Sequence, residues 1–163
     1  MNGPVTKIFA GSDHAGFALR GVVVAHLRAR GLEVLDLGAP SAESTDYPDW
    51  GAKVGRAVRD APGSVGVLIC GTGMGICIAA NKVSGVRGTA VWSVESARLA
   101  KAHNDANVLC LGARLTSDAE AVLLVDTWLD TTFEGGRHQR RLDKVAALER
   151  EAAATSSSET KGG

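Results

Sequence analysis

The stretch Val65-Gly66-Val67-Leu68-Ile69-Cys70, followed by Gly71-Thr72-Gly73-Met74-Gly75, decides the fold class of this chain. Its first part is almost wholly apolar, which is typical of a central strand buried on both faces of a parallel sheet. The glycines that follow predict a tight loop, and residues 76–82 predict a short helix. A buried strand that leads through a glycine loop into a helix indicates an α/β protein.

Strand and helix patterns alternate on both sides of this stretch. Further strands are predicted at residues 7–10, 33–37, 86–92 and 108–111, and helices at 15–30, 48–60, 94–103, 117–129 and 137–154. This alternation predicts a parallel sheet covered by helices on both faces, which is a three-layer αβα sandwich. We expect one domain over residues 1–154, followed by a polar, serine- and glycine-rich tail at 155–163 that is disordered.

The composition excludes several classes of partner. Lys and Arg together number 18, as do Asp and Glu, so the net charge is zero and gives no general attraction to nucleic acid or an anionic membrane. The three cysteines, Cys70, Cys77 and Cys110, follow no metal-binding spacing. A reducing, cytoplasmic compartment is the simplest interpretation of such cysteines. The sequence contains no apolar run of the ~20 residues that a membrane span requires and no signal-peptide pattern at its start.

Ligands of parallel α/β sheets bind beyond the carboxyl ends of the strands. In this chain that rule selects Asp13-His14, residues 70–75 and Trp92-Ser93. Asp13 is equally suited to capping the helix that follows it. These three segments are therefore the first places to look for chemistry.

The glycine loop is the strongest candidate. Its backbone N–H groups and the start of the next helix would hold an oxyanion, and they would favour a thiolate at Cys70 as a base or nucleophile. The alternative is a tight turn in which Cys70 is a small buried apolar residue. A dinucleotide site fits poorly, because the glycine spacing is G-x-G-x-G and the loop follows the third strand, although Glu95 has the offset of a ribose-binding acid.

Two polar clusters lie elsewhere in the chain. His103-Asn104-Asp105 ends a predicted helix, where it is either functional or a C-terminal turn. Arg137 and Arg141 are spaced to share one helix face, and two guanidinium groups there would bind a phosphate, although a solvated charged face would have the same pattern. Arg114 would either join such a phosphate site or pair with Asp118.

Taken together, these residues resemble the type B ribose-5-phosphate isomerases of the ribose/galactose isomerase family. The resemblance covers roughly residues 5–150, and its matching stretches are 11–16, 45–48, 70–76, 79–82, 103–107 and 136–141. It implies a five-stranded parallel, Rossmann-like sheet of order 2-1-3-5-4. It also implies a homodimer, or a dimer of dimers, whose active sites are completed across the subunit interface.

The resemblance further implies an aldose–ketose isomerase that converts ribose 5-phosphate to ribulose 5-phosphate through an enediolate, without a metal or an organic cofactor. In that family Cys70 would be the base, Thr72 would shuttle protons, and His103 would open the sugar ring with Asp13 nearby. The residues that would hold the enediolate oxygen, bind the phosphate or line the site are His14, Tyr47, Gly71, Gly73, Met74, Gly75, Asn104, Arg114, Arg137, His138 and Arg141.

The identity of the sugar stays open. One branch of the family has a glutamate base at the position of Ile76 and lacks the cysteine, so Cys70 assigns this chain to the cysteine branch. Trp92-Ser93-Val94 looks more like the glutamate branch, and an indole there would trim the pocket. The alternatives are therefore an isomerase of a hexose 6-phosphate or a tetrose 4-phosphate, or a non-catalytic sugar-phosphate-binding protein. Cys77 and Cys110 are expected to pack in the core.

Overall fold

The computed structural model describes Val5 and residues 7–159, apart from the side chains of residues 156–159. In this part of the chain the strands are β1 (Ile8–Ser12), β2 (Val34–Asp36), β3 (Val65–Cys70), β4 (Gly88–Ala90) and β5 (Val108–Gly112). The helices are α1 (Phe17–Ala29), α2 (Tyr47–Asp60), α3 (Met74–Ala80), α4 (Val94–Asn104), α5 (Asp118–Asp130) and α6 (Arg137–Glu159).

All strand pairs are parallel, and the sheet has the order β2-β1-β3-β5-β4. The predicted order is therefore confirmed. Every residue of β3 is buried, as its apolar run predicts, because β1 and β5 pair with it on either side. In the register with β5, Gly66 lies opposite Val108 and Cys70 opposite Gly112.

The two faces of the sheet are covered by different helices, which confirms the predicted layers. On one face, alternate strand residues such as Val67 and Ile69 pack against α1, α4 and α5. On the other face, Leu68 and Cys70 pack against α2 and α3. Successive residues of a strand point to opposite faces, so β3 contributes to both cores.

Several element bounds differ from the sequence prediction, among them those of β4, α3 and α6. Strand β4 is confined to Gly88–Ala90 instead of residues 86–92. Helix α3 begins at Met74, because Gly73 takes a left-handed conformation (φ 80°) that turns the chain into the helix two residues earlier than predicted. Helix α6 runs to Glu159, well into the segment predicted to be a disordered tail, and the remaining residues 160–163 lie outside the described part.

The chain divides into two compact units, residues 1–133 and residues 134–163. The first holds the sheet with α1–α5, and the second holds α6. A single domain over residues 1–154 stays a prediction. Among the described helices, none combines the length and the apolar character that crossing a lipid bilayer requires.

Candidate active site

A pocket of about 230 Å³ lies at the carboxyl end of the sheet, between the ends of β1, β3 and β5. This is the position that the strand-end rule predicts. It brings together most of the predicted site residues of the first unit. Its lining consists of Asp13, His14, Ala15, Tyr47, Cys70, Gly71, Thr72, Gly75 and Arg114.

Cys70 is the last residue of β3 and only 4% exposed. The backbone N–H of Gly73 donates a hydrogen bond to its Sγ atom at 3.2 Å. Because the strand fixes the Cα position and the loop fixes the sulfur, the thiol is held at the wall of the pocket. The same loop that would bind an oxyanion therefore also positions the candidate base.

Two positions of the glycine loop, Gly73 and Gly75, leave no room for a side chain. A Cβ atom on Gly73 would lie 2.9 Å from the carbonyl carbon of Leu111, in addition to requiring a left-handed residue. A Cβ atom on Gly75 would lie 2.7 Å from the ring of Tyr47. The missing side chains thus let the loop pack on β5 and let the tyrosine ring reach the pocket. Thr72 follows Cys70 closely, and its Oγ1 accepts a long hydrogen bond of 3.4 Å from the N–H of Met74.

Asp13 and His14 form the turn after β1. The buried carboxylate of Asp13 accepts a hydrogen bond from the N–H of Gly16 at 3.1 Å and also lines the pocket. The N-cap of α1 is Gly16, without a side-chain cap, so the predicted capping role of Asp13 is wrong. The Nδ1 atom of His14 lies 3.2 Å from both the backbone N and the backbone O of Thr45. Asp13 therefore stabilises the turn before α1 and remains a candidate site residue.

Arg114 closes the opposite side of the pocket. Its backbone N–H donates to the carbonyl oxygen of Gly71 at 3.0 Å, and a Cβ atom on Gly71 would lie 3.2 Å from its guanidinium group. The guanidinium thus lies beside the glycine loop, where a bound anion would meet it. Of the two roles considered for this residue, the position favours the phosphate site over an ion pair with Asp118.

A model of the Ribose/Galactose Isomerase family matches residues 8–145 of this chain. The chain belongs to this family. A ribose-5-phosphate isomerase B from Escherichia coli (strain K12) is 48% identical over 143 residues, which cover 88% of this chain and 96% of that protein. The structure of a ribose-5-phosphate isomerase B from Clostridium thermocellum is similar, with 46% identity, a TM-score of 0.88, and coverage of 90% of this chain and 99% of that one.

A second similar structure is the ribose-5-phosphate isomerase B from Mycoplasma genitalium with bound ribulose 5-phosphate. It has 43% identity and a TM-score of 0.87, and the match covers 91% of this chain and 99% of that one. The likeness therefore extends over nearly the full length of each relative.

In this ribose/galactose isomerase family member, His103 and Asn104 do not line the pocket that holds Cys70. They end α4 shortly before β5, whose first residue, Val108, pairs with Gly66 at the start of β3. Cys70 lies about 13 Å farther along β3 at the usual rise of about 3.3 Å per residue. The histidine and the cysteine of one chain thus lie at opposite ends of the sheet.

The turn that carries His103 is firmly fixed. Asp105 follows it in a left-handed conformation (φ 42°), as expected for a helix C-terminal turn. Its carboxylate accepts hydrogen bonds from Lys101 at 2.7 Å and from Arg87 at 3.1 Å. The guanidinium of Arg87 also donates to the carbonyl oxygen of Asn104 at 3.2 Å.

The second unit holds the other predicted cations. Gly135 and Gly136 take left-handed conformations (φ 65° and 54°) just before α6. The Nε–H of Arg137 donates to Nε2 of His138 at 3.3 Å, and that ring nitrogen lies 3.4 Å from a carboxylate oxygen of Glu134. Arg137 and Arg141 are one helical turn apart, as their spacing predicts.

The remaining cysteines are buried in the core that α2 and α3 form with the sheet, as expected. Burial raises the pKa of the Cys110 thiol. A hydrogen bond from that thiol lowers the pKa of Cys77, against the opposing effect of its own burial. Cys77 faces away from the Cys70 pocket, toward a separate apolar groove of about 530 Å³.

Trp92 lines this groove together with Met74 and Ile78. Its side chain is 63% exposed and does not belong to the lining of the Cys70 pocket. Met74, which the resemblance places among the substrate-binding residues, also faces the groove with its side chain. Within one chain, the indole is therefore not positioned to trim the sugar site.

Two residues that support the site were not among the predicted site residues. Thr45 holds His14 through its backbone, and its hydroxyl accepts a hydrogen bond from the indole N–H of Trp50 at 3.0 Å. Arg20 is a buried cation on α1. Its position on the apolar face of a predicted helix was the one available signal, because a charge there is rarely left without partners.

Proposed function

We propose that this protein interconverts ribose 5-phosphate and ribulose 5-phosphate through an enediolate. The observation that supports this most directly is the thiol of Cys70, held by the glycine loop in a pocket beside Arg114. Aldose–ketose exchange needs a base, donors for a developing oxyanion and an anchor for the phosphate, and the pocket offers a group for each. A similar protein binds ribulose 5-phosphate.

In the proposed reaction the Cys70 thiolate removes the proton from C2 of the open-chain aldose. The backbone N–H groups of the glycine loop, residues 71–75, stabilise the enediolate oxygen, and the N–H of Gly73 is shared with the Cys70 sulfur. Thr72 moves a proton from the oxygen on C2 to the oxygen on C1, and the thiol returns its proton to C1. No atom is gained or lost, so the reaction needs neither an oxidant nor a cofactor.

The substrate would be held mainly through its phosphate. His14 and Arg114 are the phosphate ligands that the pocket itself provides, and Arg137 and Arg141 are the ones proposed from α6. Tyr47 completes the lining within this pocket, and Asn104 and His138 are the lining residues proposed to come from a second copy. Fixing the phosphate places C2 against Cys70, which is a contribution of proximity to the rate.

Ring opening requires His103, with Asp13 nearby, and this requirement supports a homodimer with shared active sites. His103 and Asn104 lie at the amino end of the sheet, so they cannot reach the Cys70 pocket of the same chain. A second copy, placed with its own amino end toward this pocket, would supply both residues. A two-fold axis makes the exchange mutual, so that each dimer carries two complete sites.

We also propose that the protein works in the cytoplasm. Its described cysteines are all free, and the base must stay a thiol to function. A reducing compartment preserves such thiols.

The test is the turnover of ribose 5-phosphate by the purified protein, followed as ribulose 5-phosphate formed, with EDTA present. Efficient turnover that EDTA does not change is the expected result. Turnover only of hexose 6-phosphates or tetrose 4-phosphates would correct the substrate. Binding of sugar phosphates without turnover of any of them would overturn the isomerase proposal in favour of a non-catalytic binding protein.

A further inference from the structure

Arg20 is a buried cation that no step of the proposed reaction uses. It lies on α1, between Gly16 and Val23 on the face that packs against the sheet, and is 6% exposed. A charge in such a position is costly unless its hydrogen-bonding groups are satisfied. Its contacts therefore indicate what the fold gains from keeping it.

The guanidinium group of Arg20 donates in three directions. Nη1 donates to Oγ of Ser12 at 2.7 Å, Nη2 to the carbonyl oxygen of Ala39 at 2.8 Å, and Nε to a carboxylate oxygen of Asp36 at 3.2 Å. The ring of Phe17 lies against its cationic centre at 5.1 Å. A planar fork of N–H groups suits such divergent partners, whereas the ammonium of a lysine is a single point charge.

The first of these contacts fixes one wall of the pocket. Ser12 is the last residue of β1 and directly precedes Asp13 and His14. Both of those side chains line the pocket. The hydrogen bond to Ser12 therefore holds the strand end from which the turn departs.

The second contact fixes another wall. Ala39 begins the segment that leads to Thr45 and Tyr47, and its N–H also donates to the carbonyl oxygen of Ser12 at 3.0 Å. The far end of that segment is tied to His14 through Thr45. A single guanidinium thus joins the β1 end to the start of the segment that carries Tyr47.

We propose that Arg20 is a positioning residue of the active site, which sets the distance between the Asp13–His14 turn and the segment that carries Tyr47. This inference rests on the proposed isomerase function. The side-chain hydrogen-bond partners described for Arg20 are Ser12, Ala39 and Asp36, and none of them lines the pocket, so it acts through Ser12 and Ala39. Its loss should lower kcat, because Asp13 would shift relative to Cys70, and should also raise KM, because the joined segments carry His14 and Tyr47.

The experiment measures kcat and KM for ribose 5-phosphate with the wild type, Arg20→Lys, Arg20→Met and Ser12→Ala, well below each variant's melting temperature. Arg28→Lys is the matched control. Arg28 lies on the same helix and also donates to a strand carbonyl, that of Val34 at 3.2 Å, but at the amino end of β2. We expect Arg28→Lys to keep the kinetics of the wild type.

The expected result is a kcat lowered about ten- to a hundredfold in Arg20→Lys and Arg20→Met, the size of effect that a small misplacement of reacting groups produces. Ser12→Ala should give part of that loss. The double variant Arg20→Lys/Ser12→Ala should lose no more than Arg20→Lys alone, because both changes remove the same contact.

The outcomes separate the two proposals. If the wild type is active and Arg20→Lys folds with an unchanged kcat, the positioning role is wrong and the proposed isomerase activity is not affected. Additive losses in the double variant overturn the positioning role as well. If Arg20→Met does not fold, Arg20→Lys and Ser12→Ala still decide the question. A wild type without turnover of any sugar phosphate overturns the proposed function, and the positioning role with it.

Discussion

The two ends of the parallel sheet carry complementary halves of the proposed chemistry. At the carboxyl end, the loops after β1, β3 and β5 surround a pocket with the thiol of Cys70, the carboxylate of Asp13 and the guanidinium of Arg114. At the amino end, the turn between α4 and β5 carries His103 and Asn104, which are not among the residues that line the Cys70 pocket. One chain therefore holds the proposed base at one end of the sheet and the proposed ring-opening histidine at the other.

The two ends also differ in how they are fixed. The carboxyl end is shaped by backbone, with glycines that admit neighbouring groups and an N–H that holds the Cys70 sulfur. The amino end is fixed by side chains, since Asp105 binds Lys101 and Arg87. Both ends are therefore held in place, one by backbone contacts and the other by ion pairs.

Removal of the base at the carboxyl end should have the largest effect. We expect Cys70→Ala to lower kcat about 10²–10⁴-fold, the usual contribution of a general base. Phosphate-dependent binding should remain, because Arg114 and His14 are untouched. Cys77→Ala is the matched control, since it removes a buried thiol of the same core that faces away from the pocket. Near-normal turnover by Cys70→Ala would show that another group is the base.

The division of the site between two copies can be tested by mixing subunits. Cys70→Ala and His103→Asn should each be nearly inactive toward the ring-closed sugar. When the two variants are co-expressed, half of the dimers are mixed, and each mixed dimer has one intact site out of two. The mixture should therefore regain about a quarter of the wild-type activity. The activity of separated mixed dimers is the measurement that checks this.

Cys70→Ala co-expressed with Asp13→Asn is the control for this mixing. Both residues line the same pocket of one chain, so no mixed dimer has an intact site and no activity should return. Recovery of activity in this control would contradict the exchange of residues between copies. The absence of recovery when Cys70→Ala is co-expressed with His103→Asn would contradict it as well.

Much of the carboxyl end could be predicted from the sequence, because its determinants are local. The apolar run Val65–Cys70 identifies a buried strand, and the rule for strand ends then selects Cys70 and Asp13. The strand order came from the family resemblance. It could not follow from the pattern, since it depends on which strands pair across long separations in the chain.

Other features depend on contacts that the sequence does not display. The role of Arg20 escaped prediction because Ser12, Asp36 and Ala39 are separate in sequence and meet only in the fold. A strand longer than β4 was predicted, over residues 86–92, because apolar residues stand beyond both of its ends. In the structure, the pairing of β4 with β5 ends at Ala90. Both cases show tertiary contacts overriding a local pattern.

The dependence of the carboxyl end on backbone shape predicts a contrast between two glycines. Gly73→Ala should lower the free energy of unfolding by about 1–3 kcal/mol, because it forces a left-handed residue against the backbone of Leu111. Gly21→Ala, in the exposed part of α1 with nothing within 4 Å of a new Cβ atom, should raise it by about 0.5–1 kcal/mol. Urea unfolding of both variants measures the difference, and equal stabilities would refute the strained loop.

The smallest effect is expected at Trp92, which follows β4 at the carboxyl end but lines the apolar groove. Since its exposed side chain lies outside the Cys70 pocket, Trp92→Ala should change kcat/KM for ribose 5-phosphate by less than about threefold, as is usual for a surface substitution. Tyr47→Ala is the matched aromatic control. Its ring lines the pocket against Gly75, so its loss should raise KM clearly.

If Trp92→Ala instead gains turnover of a hexose 6-phosphate, the indole does limit the size of the sugar site. Because it lies outside the pocket of its own chain, it would then have to act on the pocket of a second copy.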